Sequence, residues 1–169
     1  MQDIARDNGG QDFEWATRPE DRSRLWQARH DVLFASLNLL PGSRGISTDV
    51  CVPISRLAEA IAGTQDDIAA SGLIAPIVGH VGDGNFHVVI LTEPDKPAQV
   101  HAAEALGRRI VERALRLDGT CTGEHGIGIG KQDFLLAEHG DGVAVMRSLK
   151  ATLDPLKLMN PGKIFTLPD

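Results

Sequence analysis

Cysteine, basic clusters and long apolar runs are all scarce in this chain of 169 residues. The two cysteines, Cys51 and Cys121, form no C-x-x-C pair, so no disulfide framework is expected. The formal net charge is −6 and no run of Lys or Arg stands out, which argues against a nucleic-acid partner. No apolar window approaches a transmembrane length, and the N-terminal residues resemble no signal or transit peptide. These absences predict a cytoplasmic protein, with peripheral attachment at the inner membrane as the alternative.

What is present is the composition of a folded domain, since 42% of the residues are apolar and 24% are charged. At this length we expect one domain with a substantial core. Residues 1–12 are polar and contain glycine, and we expect them to be disordered or a truncated edge. Residues 13–169 would form the domain, with a division into an α+β part at 13–118 and a mostly helical part at 119–169 as one option.

The order of the predicted elements is helix, strand, helix, strand, strand, helix. This order predicts an antiparallel sheet with helices on one face, a ferredoxin-like α+β fold, followed by a small helical C-terminal part. One strand is expected at 47–53, and hairpin strands at 73–79 and 86–92. The first helix should turn four apolar residues inward: Leu25, Trp26, Val32 and Leu33. The helix that begins at Pro97 should bury Ala103, Leu106, Ile110, Ala114 and Leu117.

Residues 80–87, HVGDGNFH, contain the strongest local signal. Asp83-Gly84 is typical of a two-residue type I′ hairpin turn, in which both central positions need a positive φ. A turn centred there pairs His80 directly with His87 and places both imidazoles on one face, with Cβ atoms roughly 5 Å apart. Two imidazoles in this arrangement can share a divalent metal ion. The alternative is that each histidine only hydrogen-bonds within the hairpin.

An acidic third ligand would complete a His-His-Glu set with an open coordination position, which is typical of catalytic metal sites. Glu124 is the candidate, and its neighbour His125 would be free to move protons. Both lie in a glycine-rich loop at 123–130, which does not match a dinucleotide fingerprint. Because adjacent residues of an extended segment point in opposite directions, both side chains reach one site only if the loop is kinked. The alternative is a loop that is merely flexible.

Arg29 lies on the inner-to-boundary part of the first predicted helix. An arginine there can clamp a substrate carboxylate through two parallel hydrogen bonds. The alternative is a solvated arginine, an interpretation that fits most arginines.

Five motifs follow one another along the chain: LWQAR at 25–29, STDVCVP at 47–53, HVGDGNFH at 80–87, TGEHGIG at 122–128 and MNPGK at 159–163. In this order they resemble the C-terminal (cap) domain of FAD-linked oxidases. That domain is the substrate domain of D-lactate dehydrogenases and related 2-hydroxy-acid dehydrogenases in the vanillyl-alcohol oxidase superfamily. The resemblance covers nearly the whole chain.

The resemblance implies an enzyme that oxidises a D-2-hydroxy acid to the 2-oxo acid, with hydride transfer to FAD. It implies that zinc or a similar divalent ion, acting as a Lewis acid, is held by His80, His87 and Glu124. His125 would be the base that removes the hydroxyl proton, and Arg29 would bind the carboxylate. Two residues would lie near the flavin: Asn160 and Lys163.

The same resemblance implies that FAD is bound mainly by a preceding N-terminal domain. That domain is absent from this chain, so we expect the chain alone to be an inactive fragment. The implied partners are a small 2-hydroxy acid and an electron acceptor, which is a quinone, a cytochrome or an electron-transfer flavoprotein. A homodimer is also considered.

Two positions depart from the relatives that take 2-hydroxyglutarate, which carry lysine where Ser47 stands and asparagine where Val89 stands. The loss of both removes partners for a second carboxylate. Lactate or a larger monocarboxylic acid is therefore favoured, with Val89 meeting its far end.

Two other functions stay open from the residues alone. A metal-dependent hydrolase would use the same His-His-Glu set with water in the open position. A non-catalytic binding fragment would retain only the metal or ligand site.

Overall fold

The computed structural model describes residues 2–11 and 14–167, and these form an α+β fold. The elements are α1 (Gln2–Asp7), α2 (Pro19–Asn38), β1 (Arg44–Ser47), β2 (Val50–Cys51), α3 (Leu57–Ser71), β3 (Ile77–His80), β4 (Asn85–Thr92), α4 (Pro97–Arg116), α5 (Gln132–His139) and α6 (Gly142–Leu153). Helix α1 lies in the segment expected to be disordered or a truncated edge, and none of its residues is buried. The end of that segment, at residue 12, and residue 13 lie outside the described residues. None of the described helices is long and apolar enough to cross a membrane.

Strand β4 is the centre of the sheet and pairs antiparallel with every other described strand. Strands β1 and β2 lie along one of its edges and β3 along the other. Ser47 lies opposite Val89, and Val50 lies opposite Phe86, so the register continues unchanged across the short break at residues 48–49. The strand predicted at 47–53 is therefore one edge in two pieces. This strand order confirms the predicted antiparallel α+β fold. Helices α3 and α4 lie on one face of the sheet as predicted, whereas α2 lies on the other face.

The core lies between this sheet and the two helices α3 and α4. Alternate residues of β4 face the helices, and Phe86, Val88 and Ile90 are at most 2% exposed, as the two-residue period of a strand requires. The apolar face predicted for α4 is confirmed, since all five of its residues are buried: Ala103, Leu106, Ile110, Ala114 and Leu117. The helical C-terminal part is also confirmed by α5 and α6.

Helix α2 contacts the other face of the sheet. The prediction of which of its residues point inward is wrong in part. Leu25, Trp26 and Leu33 are 37%, 56% and 46% exposed, and Ser36 is the buried residue of this helix. With 3.6 residues per turn, Arg29 lies on the same stripe as Ser36, whereas Trp26 and Leu33 lie on the neighbouring stripe. Val32, on the stripe of Arg29 and Ser36, is half-buried, so the prediction is wrong for Leu25, Trp26 and Leu33 and right for Val32.

The hairpin between β3 and β4 corrects the predicted two-residue turn. His80 lies opposite Asn85, and His87 lies opposite Val78, so the loop contains residues 81–84. Within it Gly84 has a φ of +77°, and Asp83 has no positive φ, which rules out a type I′ turn. The backbone N–H of Asp83 instead donates to the carbonyl oxygen of His80 over 2.9 Å. His80 and His87 still lie on one face of the sheet, as predicted. The observed register differs from the expected one by two residues, and a shift of two residues keeps every side chain on its face.

Gly84→Ala should lower the free energy of unfolding by about 1–3 kcal/mol, because alanine is strained at a positive φ. Its Cβ would also overlap the carbonyl oxygen of Val52. Equilibrium unfolding in urea measures the change. Gly82→Ala is the matched control in the same loop, since nothing lies within 4 Å of its Cβ, and it should change the free energy by less than about 0.5 kcal/mol. Equal losses in the two variants would contradict the role given to Gly84.

Candidate metal and substrate site

His87 lies at the centre of the candidate site, on the face of β4 away from the core. Its side chain is 6% exposed. Nδ1 lies 3.1 Å from the carbonyl oxygen of Thr48, and a carbonyl oxygen can only accept, so Nδ1 donates. In the neutral ring this leaves Nε2 with a free lone pair directed at the loop that follows residue 121.

Glu124 and His80 approach that free nitrogen. Oε1 of Glu124 lies 2.9 Å from Nε2 of His87, and Oε2 lies 3.8 Å from Nε2 of His80. Nε2 of His87 is buried, and no described residue makes a well-formed hydrogen bond to it. A nitrogen lone pair and a carboxylate oxygen this close repel each other unless a proton or a metal ion lies between them. One ligand atom from each of the three residues lies within 4.8 Å of the others, so the set fits a divalent ion.

The carboxylate of Asp49 is a buried anion that ties the loop at 122–125 to the sheet. Its Oδ2 accepts hydrogen bonds from the hydroxyl of Thr122 (2.7 Å) and from the backbone N–H groups of Glu124 (3.0 Å) and His125 (2.9 Å). Its Oδ1 accepts from the side-chain amide of Asn85 over 2.9 Å. Burial alone would raise the pKa of this carboxyl. The hydrogen bonds, led by the one from the His125 backbone, outweigh burial and hold the pKa of Asp49 well below its usual value.

Lys131 supplies a positive charge next to Asp49. Its Nζ lies 3.8 Å from Oδ2 of Asp49 and donates to the carbonyl oxygens of Asp49 (3.0 Å) and Cys121 (2.8 Å). Burial lowers the pKa of Lys131, while Asp49 and Cys121 oppose this shift. The loop approaches so closely that a Cβ at Gly123 would overlap Nδ2 of Asn85. Glycine is therefore required at this position of the loop.

His125 lies beside His87, as a proton-transfer group at this site requires. The two rings stack with centroids 5.0 Å apart and planes 11° apart, and the side chain of His125 is 49% exposed. Asp49, His87 and His125 form a second group close enough to hold an ion. Both oxygens of Asp49 already accept hydrogen bonds, so the set with Glu124 suits a metal better.

Arg29 reaches the same site from α2. Its Nη2 lies 3.2 Å from Nε2 of His80, and because a guanidinium always carries its protons, Arg29 donates and His80 accepts. This is the nitrogen that faces Glu124. An ion bound by His80 would take up this lone pair, and the guanidinium would then be free to pair with a carboxylate.

The other three residues predicted for the site lie in two places. Val89 is 3% exposed on the same face as His87, opposite Ser47. It packs near Leu37 of α2, since a Cβ at Gly45 would lie 3.3 Å from both side chains. Asn160 and Lys163 line a cavity of about 280 Å³ whose walls lie between residues 150 and 167. That cavity contains none of the histidines.

The sequence interpretation missed Asp49, Asn85 and Lys131. One signal for Asp49 was available, because a carboxylate within a strand rich in β-branched residues is costly to bury unless it is paired. Lys131 had no comparable signal. It follows the glycine loop, where a solvated lysine is equally expected.

Asn85→Asp should lower the free energy of unfolding at pH 7 by about 2–4 kcal/mol, because it places a second buried carboxylate beside Asp49. The loss should shrink as the pH falls and the new carboxyl takes up a proton. Thermal unfolding at several pH values measures both effects. Gln27→Glu is the matched control, since the amide of Gln27 donates to Asp31 over 2.9 Å at an exposed position, and it should cost less than about 0.5 kcal/mol. A comparable loss in the control would contradict the weight given to burial.

Comparison with solved structures shows the fold. The chain matches the structure of a 4-ethylphenol oxidase from Gulosibacter chungangensis with a TM-score of 0.64 and 19% sequence identity. The match covers 90% of this chain and 32% of that one.

Curated relatives are more similar in sequence. The chain is 52% identical over 98% of its length to a Danio rerio protein named "Probable D-lactate dehydrogenase, mitochondrial", and covers 34% of that protein. It is 44% identical over 97% of its length to "D-lactate dehydrogenase [cytochrome], mitochondrial" from Arabidopsis thaliana, and covers 29% of it. The chain thus spans about a third of the length of these relatives. A family model described as FAD linked oxidases, C-terminal domain, matches residues 1–164. The chain therefore belongs to the family of C-terminal domains of FAD-linked oxidases.

Proposed function

We propose that this chain is the substrate-binding domain of a flavin-dependent D-2-hydroxy-acid dehydrogenase of the D-lactate type. Such an enzyme oxidises the hydroxy acid to the 2-oxo acid and transfers hydride to FAD. The names of the two relatives support this choice, since both are D-lactate dehydrogenases. The oxidoreductase names of these relatives favour this function over a metal-dependent hydrolase or a non-catalytic fragment.

The observation that carries the proposal is the free Nε2 of His87, which faces a carboxylate oxygen of Glu124 at 2.9 Å. In our proposal His80, His87 and Glu124 hold one divalent ion, with zinc as the first choice because two imidazoles and a carboxylate suit it. The bound ion would supply Lewis-acid polarisation of the substrate hydroxyl, which lowers the pKa of that group.

Arg29 and His125 act on the substrate from two sides of the metal ligands. Arg29 binds the substrate carboxylate through its planar fork, once its hydrogen bond to His80 is released. His125 takes the hydroxyl proton on its half-exposed ring, which is held against His87 by the stacking contact. Removal of this proton lets the C2 hydrogen leave as hydride, for which FAD supplies the acceptor. The backbone of His125 is anchored to Asp49, so its ring is positioned before substrate arrives.

The far end of the substrate would point toward Val89, whose buried side chain makes that end of the site apolar. Ser47 lies opposite it, and the hydroxyl of Ser47 donates to the carbonyl oxygen of Thr48 over 3.2 Å. A second carboxylate would lose its hydration there without gaining a cation. We therefore propose a monocarboxylic substrate of the size of lactate or 2-hydroxybutyrate.

The remaining assignments are part of the same proposal. Asn160 and Lys163 would lie toward the flavin, and their cavity in the C-terminal part is a separate surface from the metal ligands. The electron acceptor is proposed as a quinone, a cytochrome or an electron-transfer flavoprotein. The name of the Arabidopsis relative, which includes the word cytochrome, favours a cytochrome.

The metal assignment predicts that the wild-type chain retains about one zinc ion per molecule after dialysis, because the three proposed ligands form a single site. His87→Ala and Glu124→Gln should each reduce bound zinc to background, because two ligands alone hold it weakly. Elemental analysis of the dialysed proteins measures the content. His101→Ala is the matched control, since His101 is an exposed histidine 3.5 Å from Glu104, and its zinc content should equal that of wild type. Wild-type zinc content in both site variants would refute the ligand assignment.

The substrate assignment predicts that a flavin-containing protein that includes this chain prefers D-lactate to D-2-hydroxyglutarate. The ratio of kcat/KM values should be on the order of a hundredfold, because the second carboxylate is desolvated without a partner. Arg29→Lys should lower kcat/KM for every substrate, since lysine lacks the planar fork. Steady-state kinetics with both acids measures the ratio.

Arg22→Lys is the control for this experiment, since Arg22 is an exposed arginine of the same helix. It should leave the kinetics unchanged. Equal efficiency toward the dicarboxylic acid would contradict the proposal and would indicate that another cation, such as Arg44, replaces the missing lysine.

A further inference from the structure

Glu124 and His125 are neighbours in the chain, yet both side chains reach the ring of His87. Oε1 of Glu124 lies 2.9 Å from Nε2 of His87, and the His125 ring stacks on the His87 ring at 5.0 Å. In an extended segment the two side chains would point in opposite directions. The loop must therefore be held in a kinked conformation at this dipeptide.

The hydrogen bonds of Asp49 supply that constraint. One oxygen, Oδ2, accepts from the backbone N–H of Glu124 at 3.0 Å and from that of His125 at 2.9 Å. Two successive N–H groups that converge on one anion cannot belong to an extended strand, in which they alternate in direction. The carboxylate thus selects the conformation in which Glu124 and His125 face the same side.

The same segment of the edge strand also orients His87. Asp49 lies opposite His87 in the register that continues from β1 to β2, and its Oδ1 is 3.7 Å from Nδ1 of that ring. The carbonyl oxygen of the preceding residue, Thr48, accepts from Nδ1 at 3.1 Å. Residues 48 and 49 therefore fix both the ring and the loop that faces it.

We propose that Asp49 is a positioning residue that assembles the ligand and base side chains by clamping the two backbone N–H groups of the Glu124–His125 dipeptide. It touches neither substrate nor metal, since its oxygens are occupied by donors from the loop and from Asn85. Its effect on metal affinity rests on the proposed function. Its effect on the loop does not, so the two can be tested separately.

Asp154 offers a matched control of the same chemistry elsewhere in the fold. It is 6% exposed, pairs with Lys150 and accepts from the backbone N–H groups of two successive residues, Leu158 and Met159, each at 2.9 Å. Asp49→Asn and Asp154→Asn therefore remove the same charge from two similar clamps.

Amide hydrogen exchange followed by NMR on the full chain tests the clamp without any metal. In wild type the amides of Glu124 and His125 should exchange roughly 10- to 100-fold more slowly than free loop amides, as a hydrogen bond to a charged acceptor implies. Asp49→Asn should abolish this protection and leave that of Leu158 and Met159 intact. Asp154→Asn should do the reverse. Unprotected Glu124 and His125 amides in wild type would overturn the proposal even if the variants failed to fold.

Zinc affinity, measured by competition with a chromogenic chelator, tests the effect on the site. Asp49→Asn should weaken binding about 10- to 100-fold, as loss of a group that orients metal ligands does, and Asp154→Asn should not. Equal affinity in Asp49→Asn and wild type would overturn the positioning role while leaving the ligand assignment intact. Absence of zinc binding in wild type would refute the proposed metal site, and the exchange data alone would then decide whether the clamp exists.

Discussion

A single buried carboxylate connects the parts of this structure that matter for its chemistry. Asp49 lies in a short break of the edge strand, and it receives hydrogen bonds from the central strand through Asn85 and from the glycine loop through Thr122 and two backbone N–H groups. An isolated charge is costly to bury. The buried carboxylate of Asp49 is tolerated because its oxygens accept these hydrogen bonds and lie near the ammonium of Lys131. The sheet and the loop are thereby joined at the point where His87 faces Glu124.

Much of the fold follows from periodicity in the sequence. The apolar stripe of helix α4 correctly predicts four of its buried residues, from Ala103 to Ala114, and Leu117 just after the helix, and it misses only the buried Val111. Helix α2 misled the same reasoning, because its apolar residues occupy two neighbouring stripes, and of the four predicted residues only Val32 is half-buried while the other three are exposed. Amphipathic spacing identifies which residues share a face. It does not identify which of two neighbouring apolar stripes is buried, because tertiary contacts decide that.

The sequence predicted which histidines and which glutamate come together at the candidate site. It did not predict the turn and the hydrogen bonds that bring them together. His80 and His87 were expected to face each other across a two-residue turn, and the turn contains four residues instead. Their common face was still correct, since a shift of two residues preserves the side of a strand. The kink that brings Glu124 and His125 together depends on a hydrogen bond acceptor 75 residues earlier in the chain. Local patterns do not report such long-range contacts, so Asp49 was not identified.

The unbroken register between β1 and β2 has a consequence for how this family can diverge. Ser47 and Val50 pair with β4 in one continuous register across the gap at 48–49. The carboxylate of Asp49 therefore faces the loop only because two residues lie between Ser47 and Val50. Inserting or deleting one residue there would turn its carboxylate to the apolar face of the sheet. Evolution can therefore change side chains in this segment more readily than its length. Alignments of distant members should keep the spacing between the edge strand and the carboxylate even where the surrounding residues differ.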